Sequence, residues 1–265
     1  MKKVYFGTNL KMYKNIQQTV DYLKELEKGT ELINREEYEF FVIPSYTSLP
    51  SATNSVSQDK IRIGAQNMGW EEEGQYTGEI SPLMLDEISV NLVMVGHSER
   101  RHVFRETDED ENKKVLCGLK HGFTMLLCIG ETENEKEFGI SNEVLRSQLI
   151  KGLHCVRKEE VKKIWIAYEP VWAIGVNGKP ASEEYANSKH KVIKECLIDI
   201  FGECGLEIPV LYGGSVNPQN ADSLITQEYI DGLFVGRSAW NAEQFSSLIF
   251  KSIDTLKKHN NKKVM

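Results

Sequence analysis

The sequence predicts an α/β fold in which eight parallel strands, each followed by a helical segment, close into one barrel occupying residues 1–265 as a single domain. Three observations carry this. Short runs rich in β-branched and aromatic residues alternate with longer segments of helical period, the pattern of βα units around a parallel sheet. Eight such pairs can be counted along the chain. No Pro/Gly/Ser linker, low-complexity tract or shift of composition divides them, and 265 residues suit one barrel of this kind.

In chain order, the first strand is expected at 3–9, and "QQTVDYLKELEKG" behind it has helical period. Strands at 39–44, 61–66 and 92–96 follow. The last of these runs into "SERR", read as a helix start with Ser98 as its cap. The helical stretch "ENKKVLCGLKHG" leads to a strand at 123–130, and "NEVLRSQLIKGLHCV" to one at 164–169. "SEEYANSKHKVIKECLIDIFG" then precedes strands at 209–213 and 232–235, and "NAEQFSSLIFKSIDTLKKH" closes the series.

Bulk properties exclude several classes. A hydrophobic fraction of 40% with 27% charged residues is ordinary for a chain with a sizeable core. The net charge of -7 argues against a general nucleic-acid binder, which needs clustered Lys and Arg. The one basic patch, 257–263, reads as a solvated helix end. Five cysteines without metal-like spacing read as reduced thiols. Cys128 is either a packed or a reactive one. No apolar run approaches the ~20 residues of a membrane-spanning helix, and the opening "MKKVYFGTN" has no signal-like core. A cytoplasmic protein is expected.

In such a barrel, chemistry gathers on the loops at the carboxyl ends of the strands. Those ends carry Asn9 and Lys11, Gln66, His97, Glu131, Glu169, "GGS" at 213–215 and "GRS" at 236–238. The same stretches match a known family. "GTNLKM", "GAQN", "TGEIS", "VGHSERR", "CIGET", "AYEPVWAIG", "LYGGSVN" and "DGLFVG" occur in order from one end of the chain to the other. In them the chain resembles triosephosphate isomerase, and the resemblance implies a TIM barrel and a cofactor-independent, metal-free aldose-ketose isomerase acting on a small phosphorylated sugar through an enediolate.

Each residue also has a physical reading. Trp165, Ala167 and Glu169 share one strand face, which brings the Glu169 carboxylate to the barrel mouth as a base for a proton next to a carbonyl. His97 opens a helix, where a neutral ring that donates to the carbonyl is expected; the family is itself a standard illustration of that arrangement. Asn9 and Lys11, two apart, are expected on one side of the first strand, with an amide donor and a fixed charge for the oxyanion. Removing one such donor costs about 3 kcal/mol at the transition state. The resemblance makes Glu99 a supporting acid that pairs with the lysine or relays protons. It also assigns the phosphate to Gly175, Gly214, Ser215, Gly236 and the amide of Arg237, glycine allowing main-chain N–H groups to approach an anion closely.

By the same resemblance, residues 170–182 form a lid, with Pro170, Val171 and Trp172 as its first hinge and "AIGVNG" as its tip, closing to exclude water from the intermediate. Three departures mark this chain. "AIGVNGKPA" is one residue longer than the usual lid and places Pro180 in the second hinge, Arg237 replaces the second glycine after the last strand, and Leu10 and Tyr13 replace an aromatic and an Asn. The favoured substrate is a triose phosphate. A branch of the family acting on four-carbon erythrulose phosphates is the alternative, and a barrel that only binds is a remote third. The loop 66–79 is long and carries Trp70 and Tyr76. In the family this loop inserts beside the partner's site, so a homodimer with Thr77 reaching across is expected.

Overall fold

Eight strands pair in sequence order, all parallel, and the last closes on the first in the computed structural model, which describes residues 3–175 and 178–264. They are β1 (Val4–Asn9), β2 (Tyr38–Ile43), β3 (Arg62–Ala65), β4 (Leu92–Val95), β5 (Thr124–Ile129), β6 (Ile164–Tyr168), β7 (Val210–Tyr212) and β8 (Gly232–Val235). Tyr5 pairs with Gly232 and Thr8 with Val235 at the seam. The helices outside the barrel are α1 (Ile16–Gly29), α2 (Leu49–Thr53), α3 (Pro82–Glu87), α4 (Ser98–His102), α5 (Asp108–Lys120), α6 (Glu133–Glu137), α7 (Ser141–Gly152), α8 (Glu183–Phe201), α9 (Ala221–Ile225) and α10 (Ala242–Val264). Those of five or six residues are too short to show a period in sequence.

Strand alternation divides the apolar residues into two cores. One face of the strands packs against the helices, with Phe40, Val42, Val95, Ile129 and Ile166 among its residues. The other fills the barrel with Phe41, Ile43, Met94, Leu126, Trp165 and Phe234. Phe41 is the centre of this filling, its ring 5.5 Å from those of Phe234 and Trp165. Gly7 makes room for it: a Cβ there would stand 2.0 Å from Phe41 Cζ. At the amino ends of the strands, Arg62 lies 5.1 Å over the Trp165 ring and pairs with Glu39 at 3.1 Å. Each large side chain buried this way contributes about 2 kcal/mol.

Six of the eight strands stop one residue before the carboxyl ends expected from sequence, because the residues there leave the ladder to form the mouth. Gly96 turns with φ +73°. Glu169 still donates its N–H to Ile129 O at 2.7 Å, but Pro170 has none to continue the ladder.

Candidate active site

The carboxyl ends of the strands surround a cavity of about 240 Å³, lined by Asn9, Lys11, His97 and Glu169 and by Gly175, Gly214, Ser215, Gly236 and Arg237. Of the catalytic and phosphate-binding residues expected from sequence, only Glu99 is not on its wall, and the strand-end residues Gln66 and Glu131 lie off it as well.

Glu169 arrives as the inward alternation of β6 requires, after Trp165 and Ala167. It is 3% exposed. Gly213 opposite is a necessity of this placement, since a Cβ there would lie 2.8 Å from Glu169 Cγ. The backbone and ring contacts of the carboxylate are long. Oε2 receives the Ser98 N–H at 3.5 Å, and Oε1 lies 3.6 Å from His97 Nε2. A group so loosely tethered can advance onto a substrate without breaking strong bonds.

His97 is 4% exposed and follows the Gly96 turn out of β4. The cap of α4 is His97 itself, not Ser98: its Nδ1 accepts the Glu99 N–H at 3.2 Å. An acceptor nitrogen carries no proton, so in the neutral ring the proton is on Nε2, facing the cavity and Glu169.

Lys11 reaches the cavity by a different route from the one its spacing suggests. β1 ends at Asn9, and Lys11 lies beyond it with φ +51°, a left-handed conformation unusual for a residue with a side chain. Such strain costs about 1–3 kcal/mol and clusters at working sites. Asn9 Oδ1 offsets part of it by accepting the Lys11 N–H at 2.8 Å, and Gln66 Nε2 donates to both Asn9 Oδ1 (3.1 Å) and Lys11 O (2.8 Å). With Oδ1 so engaged, the Asn9 side chain is left its NH2 group to offer a ligand. Lys11 Nζ pairs with Glu99 Oε1 at 2.7 Å, while Glu99 Oε2 lies 3.6 Å from His97 Nδ1. Burial works against the charge on Glu99, but the Lys11 hydrogen bond and the neighbouring His97 and Lys11 side chains outweigh it and hold the carboxyl below its ordinary range.

A carboxylate that sequence reading saw only as a strand-end acid ties down both flanks of segment 170–182. Glu131 is fully buried and accepts from Tyr168 Oη (3.0 Å), Trp172 Nε1 (2.9 Å) and Tyr185 Oη (2.8 Å). Its carbonyl takes the Val171 N–H at 2.9 Å. Burial, reinforced by the Glu131 charge, pushes Tyr185 up to about 12, so its hydroxyl stays a donor. Trp172 precedes the segment's tip and Tyr185 follows its end, and Lys136 covers the Trp172 ring at 3.4 Å. Of the tip, Gly175 has φ +88°, while Val176 and Asn177 lie outside the described residues. Cys128 is packed: burial and the nearby Glu169 charge raise its thiol well above the usual value, which leaves it protonated and a poor nucleophile.

The far wall is mostly main chain. Gly214 and Ser215 follow β7, with Asn220 Nδ2 donating to Ser215 O at 2.9 Å. Gly236 and a short 3-10 turn at Arg237–Ala239 follow β8. Arg237 is exposed and makes no ion pair among the described residues. Trp240 donates to Asn9 O at 2.9 Å and packs on Tyr13 with centroids 4.3 Å apart, joining this wall to the Lys11 loop. A buried carboxylate, an imidazole, a lysine and a glycine-rich end together could serve proton transfer beside a carbonyl on an anionic substrate.

A model of the family described as triosephosphate isomerase matches residues 4–252. L-erythrulose-1-phosphate isomerase of Rhizobium etli is 44% identical, the match covering 93% of this chain and 91% of that protein. Triosephosphate isomerase of Clostridium botulinum is 41% identical over 94% of this chain and 99% of that one. The crystal structure of triosephosphate isomerase from Bartonella henselae superposes with a TM-score of 0.83 at 30% identity, covering 93% of this chain and 98% of that one.

Proposed function

Because the chain belongs to the triosephosphate isomerase family, we propose that it interconverts dihydroxyacetone phosphate and glyceraldehyde 3-phosphate, with Glu169 as base and His97 as electrophile. The observation that carries this is the facing of Glu169 Oε1 and His97 Nε2, 3.6 Å apart in the cavity. Glu169 removes a proton from the carbon beside the carbonyl. The His97 Nε2–H passes its proton to the carbonyl oxygen as that oxygen gains charge, Nε2 takes up the proton of the neighbouring hydroxyl in exchange, and the protonated Glu169 returns its proton to the carbon that bore the carbonyl. No electron leaves the substrate, so no redox cofactor is required.

Lys11 and Asn9 hold the negative substrate and the developing oxyanion, and Glu99 orients Lys11. Gly175, Gly214, Ser215, Gly236 and Arg237 take the phosphate, and segment 170–182 closes over it as a lid. The chain works as a cytoplasmic homodimer joined through the loop 66–79, with Thr77 reaching across. Apolar side chains exposed near that loop and the Lys11 turn support this, among them Met12, 94% exposed, with Tyr13, Tyr76 and Phe104. No helix of the described residues is long and apolar enough to cross a membrane.

A four-carbon ketose phosphate is the second reading, favoured by the Arg237 guanidinium on the cavity wall, which makes no ion pair among the described residues and stands where the family has glycine, and by the longer lid. The test is a parallel assay of the purified chain with dihydroxyacetone phosphate and L-erythrulose 1-phosphate. A kcat/KM ratio favouring the triose upholds the first reading, one favouring the tetrulose replaces it, and no turnover of either defeats both.

A further inference from the structure

Helix α4, which carries His97 as its cap and Glu99 in its first turn, is fastened to the barrel by two arginines. Arg101 donates to Gly96 O at 2.7 Å and Cys128 O at 3.1 Å, and pairs with Asp108 at 2.6 Å. Arg100 pairs with Glu106, whose own N–H donates back to Arg100 O at 3.1 Å. Glu106 shares its donors unevenly. Its Oε1 takes Arg100 Nε and Nη2, Lys114 Nζ at 2.7 Å and Asn67 Nδ2 at 3.2 Å. Its Oε2 is buried and meets no donor among the described residues.

The neighbour of Glu106 is a second carboxyl. Glu111, in the first turn of α5, is fully buried, and neither of its oxygens meets an N–H or hydroxyl donor among the described residues. Its carboxyl lies close enough to that of Glu106 for the two to act on each other directly. Two ionised carboxylates in contact in a dry site repel strongly, and a buried acceptor without a donor is costly as well. A single proton removes both difficulties, because a protonated carboxyl becomes the donor that Oε2 lacks.

We propose that Glu106 and Glu111 hold one proton between them, and that this carboxyl pair positions α4, and with it His97 and Glu99. Glu111 is thus a positioning residue that acts through Glu106 and Arg100. Burial pushes its carboxyl up to about 8, Lys114 from α5 and Arg101 from α4 opposing and Glu106 assisting. Glu106 goes the other way: burial resists its charge, but the hydrogen bonds from Arg100 and Lys114 outweigh it and hold it well below the usual range. Among the other elements packed on α5, β4 offers no titratable group and β5 offers the Cys128 thiol. From α7, Lys151 pairs with Asp108 and Glu109.

The sign follows from proton counts. Between the ordinary glutamate range and about 8 the folded chain holds one proton that the unfolded chain has released. The stability this provides is complete at the acid end of that window and is lost as pH rises through it.

The test compares the full chain with Glu111→Gln, which keeps an N–H donor for Glu106 but has no proton to lose, and with Glu111→Leu, which keeps neither. Across that window the unfolding constant of the wild type should rise about tenfold per pH unit relative to that of Glu111→Gln. Wild-type kcat should fall above a pH of about 8, where Glu111→Gln holds its value and Glu111→Leu is lower at every pH. Infrared spectroscopy of the wild type at neutral pH should show a protonated carboxyl that disappears through the same pH, a readout that stands even if neither variant folds. A wild-type-to-Gln unfolding ratio independent of pH, or no protonated carboxyl at neutral pH, would overturn the proposal. Unfolding and infrared measurements need no substrate, so they are decided separately from which ketose phosphate is used.

Discussion

Glu169 and His97 leave the ends of two different strands and bring Oε1 and Nε2 to 3.6 Å from one another, with the other ring nitrogen already occupied by the Glu99 N–H. That occupancy settles which ring edge meets a substrate. It also makes the carboxylate the one group of the pair free to take a proton.

Replacing Glu169 with Gln should therefore lower kcat by about 10³-fold, within the 10²–10⁴ that a positioned base contributes. Circular dichroism should be unchanged. Retention of more than a tenth of the wild-type kcat in a coupled assay would remove Glu169 from the role of base.

Glu99 is held below its ordinary range by Lys11 and His97 after burial has acted against it. A depressed carboxyl contributes above the ordinary glutamate value and is lost as pH falls through the lower folded one. Glu99→Gln should thus cost about fivefold in kcat at neutral pH, as a half-exposed charged contact allows. The gap to wild type should persist down to the ordinary glutamate range and close only below it. A gap that closes already near neutrality would count against the pairing.

Trp172→Phe keeps the ring beneath Lys136 but takes one of three side-chain donors from the buried Glu131 carboxylate. A loss of about 1–3 kcal/mol is expected, a melting point lower by several degrees. Calorimetry reads it directly, and kcat should fall as well because the flank of segment 170–182 is loosened. An unchanged melting point would mean that the indole donor is dispensable.

Arg237→Gly should raise KM for the phosphorylated substrate about tenfold with little change in kcat, and the difference should shrink at high salt, where an exposed charge is screened. If the guanidinium points away from the ligand, KM will not move.

Tyr76 is exposed on the loop 66–79. Light scattering of the wild type at micromolar concentration should give twice the mass of the chain, and Tyr76→Asp should shift it toward one. A monomeric wild type would rule out the proposed assembly.

Much of this was legible in sequence because period two is a rigid rule. Trp165, Ala167 and Glu169 were expected on one face and lie there, and eight runs of β-rich residues close into the expected barrel. Lys11 shows where the rule ends. Spacing assigned it to the strand, but the chain leaves β1 after Asn9, and nothing in a lysine announces a left-handed backbone. Side-chain preference points to Ser98 as the cap of α4, whereas the turn at Gly96 aims the His97 ring at the Glu99 N–H. The partners of Glu131 come from β6, from beyond it and from the start of α8, and only folding brings three such donors together. Glu111 opens the helical stretch "ENKKVLCGLKHG" with nothing in the sequence to mark it as buried. Its burial depends on how α5 lies against the barrel, which no local pattern encodes.

The packing of Phe41, Trp165 and Phe234 along the axis, with Arg62 and Glu39 at the far pole, leaves the barrel without a through-passage. Incoming ketose, outgoing aldose and the displaced solvent must all share one doorway, so forward and reverse traffic queue at the same threshold. A compound that merely lodges there would obstruct both directions equally, without mimicking either reactant.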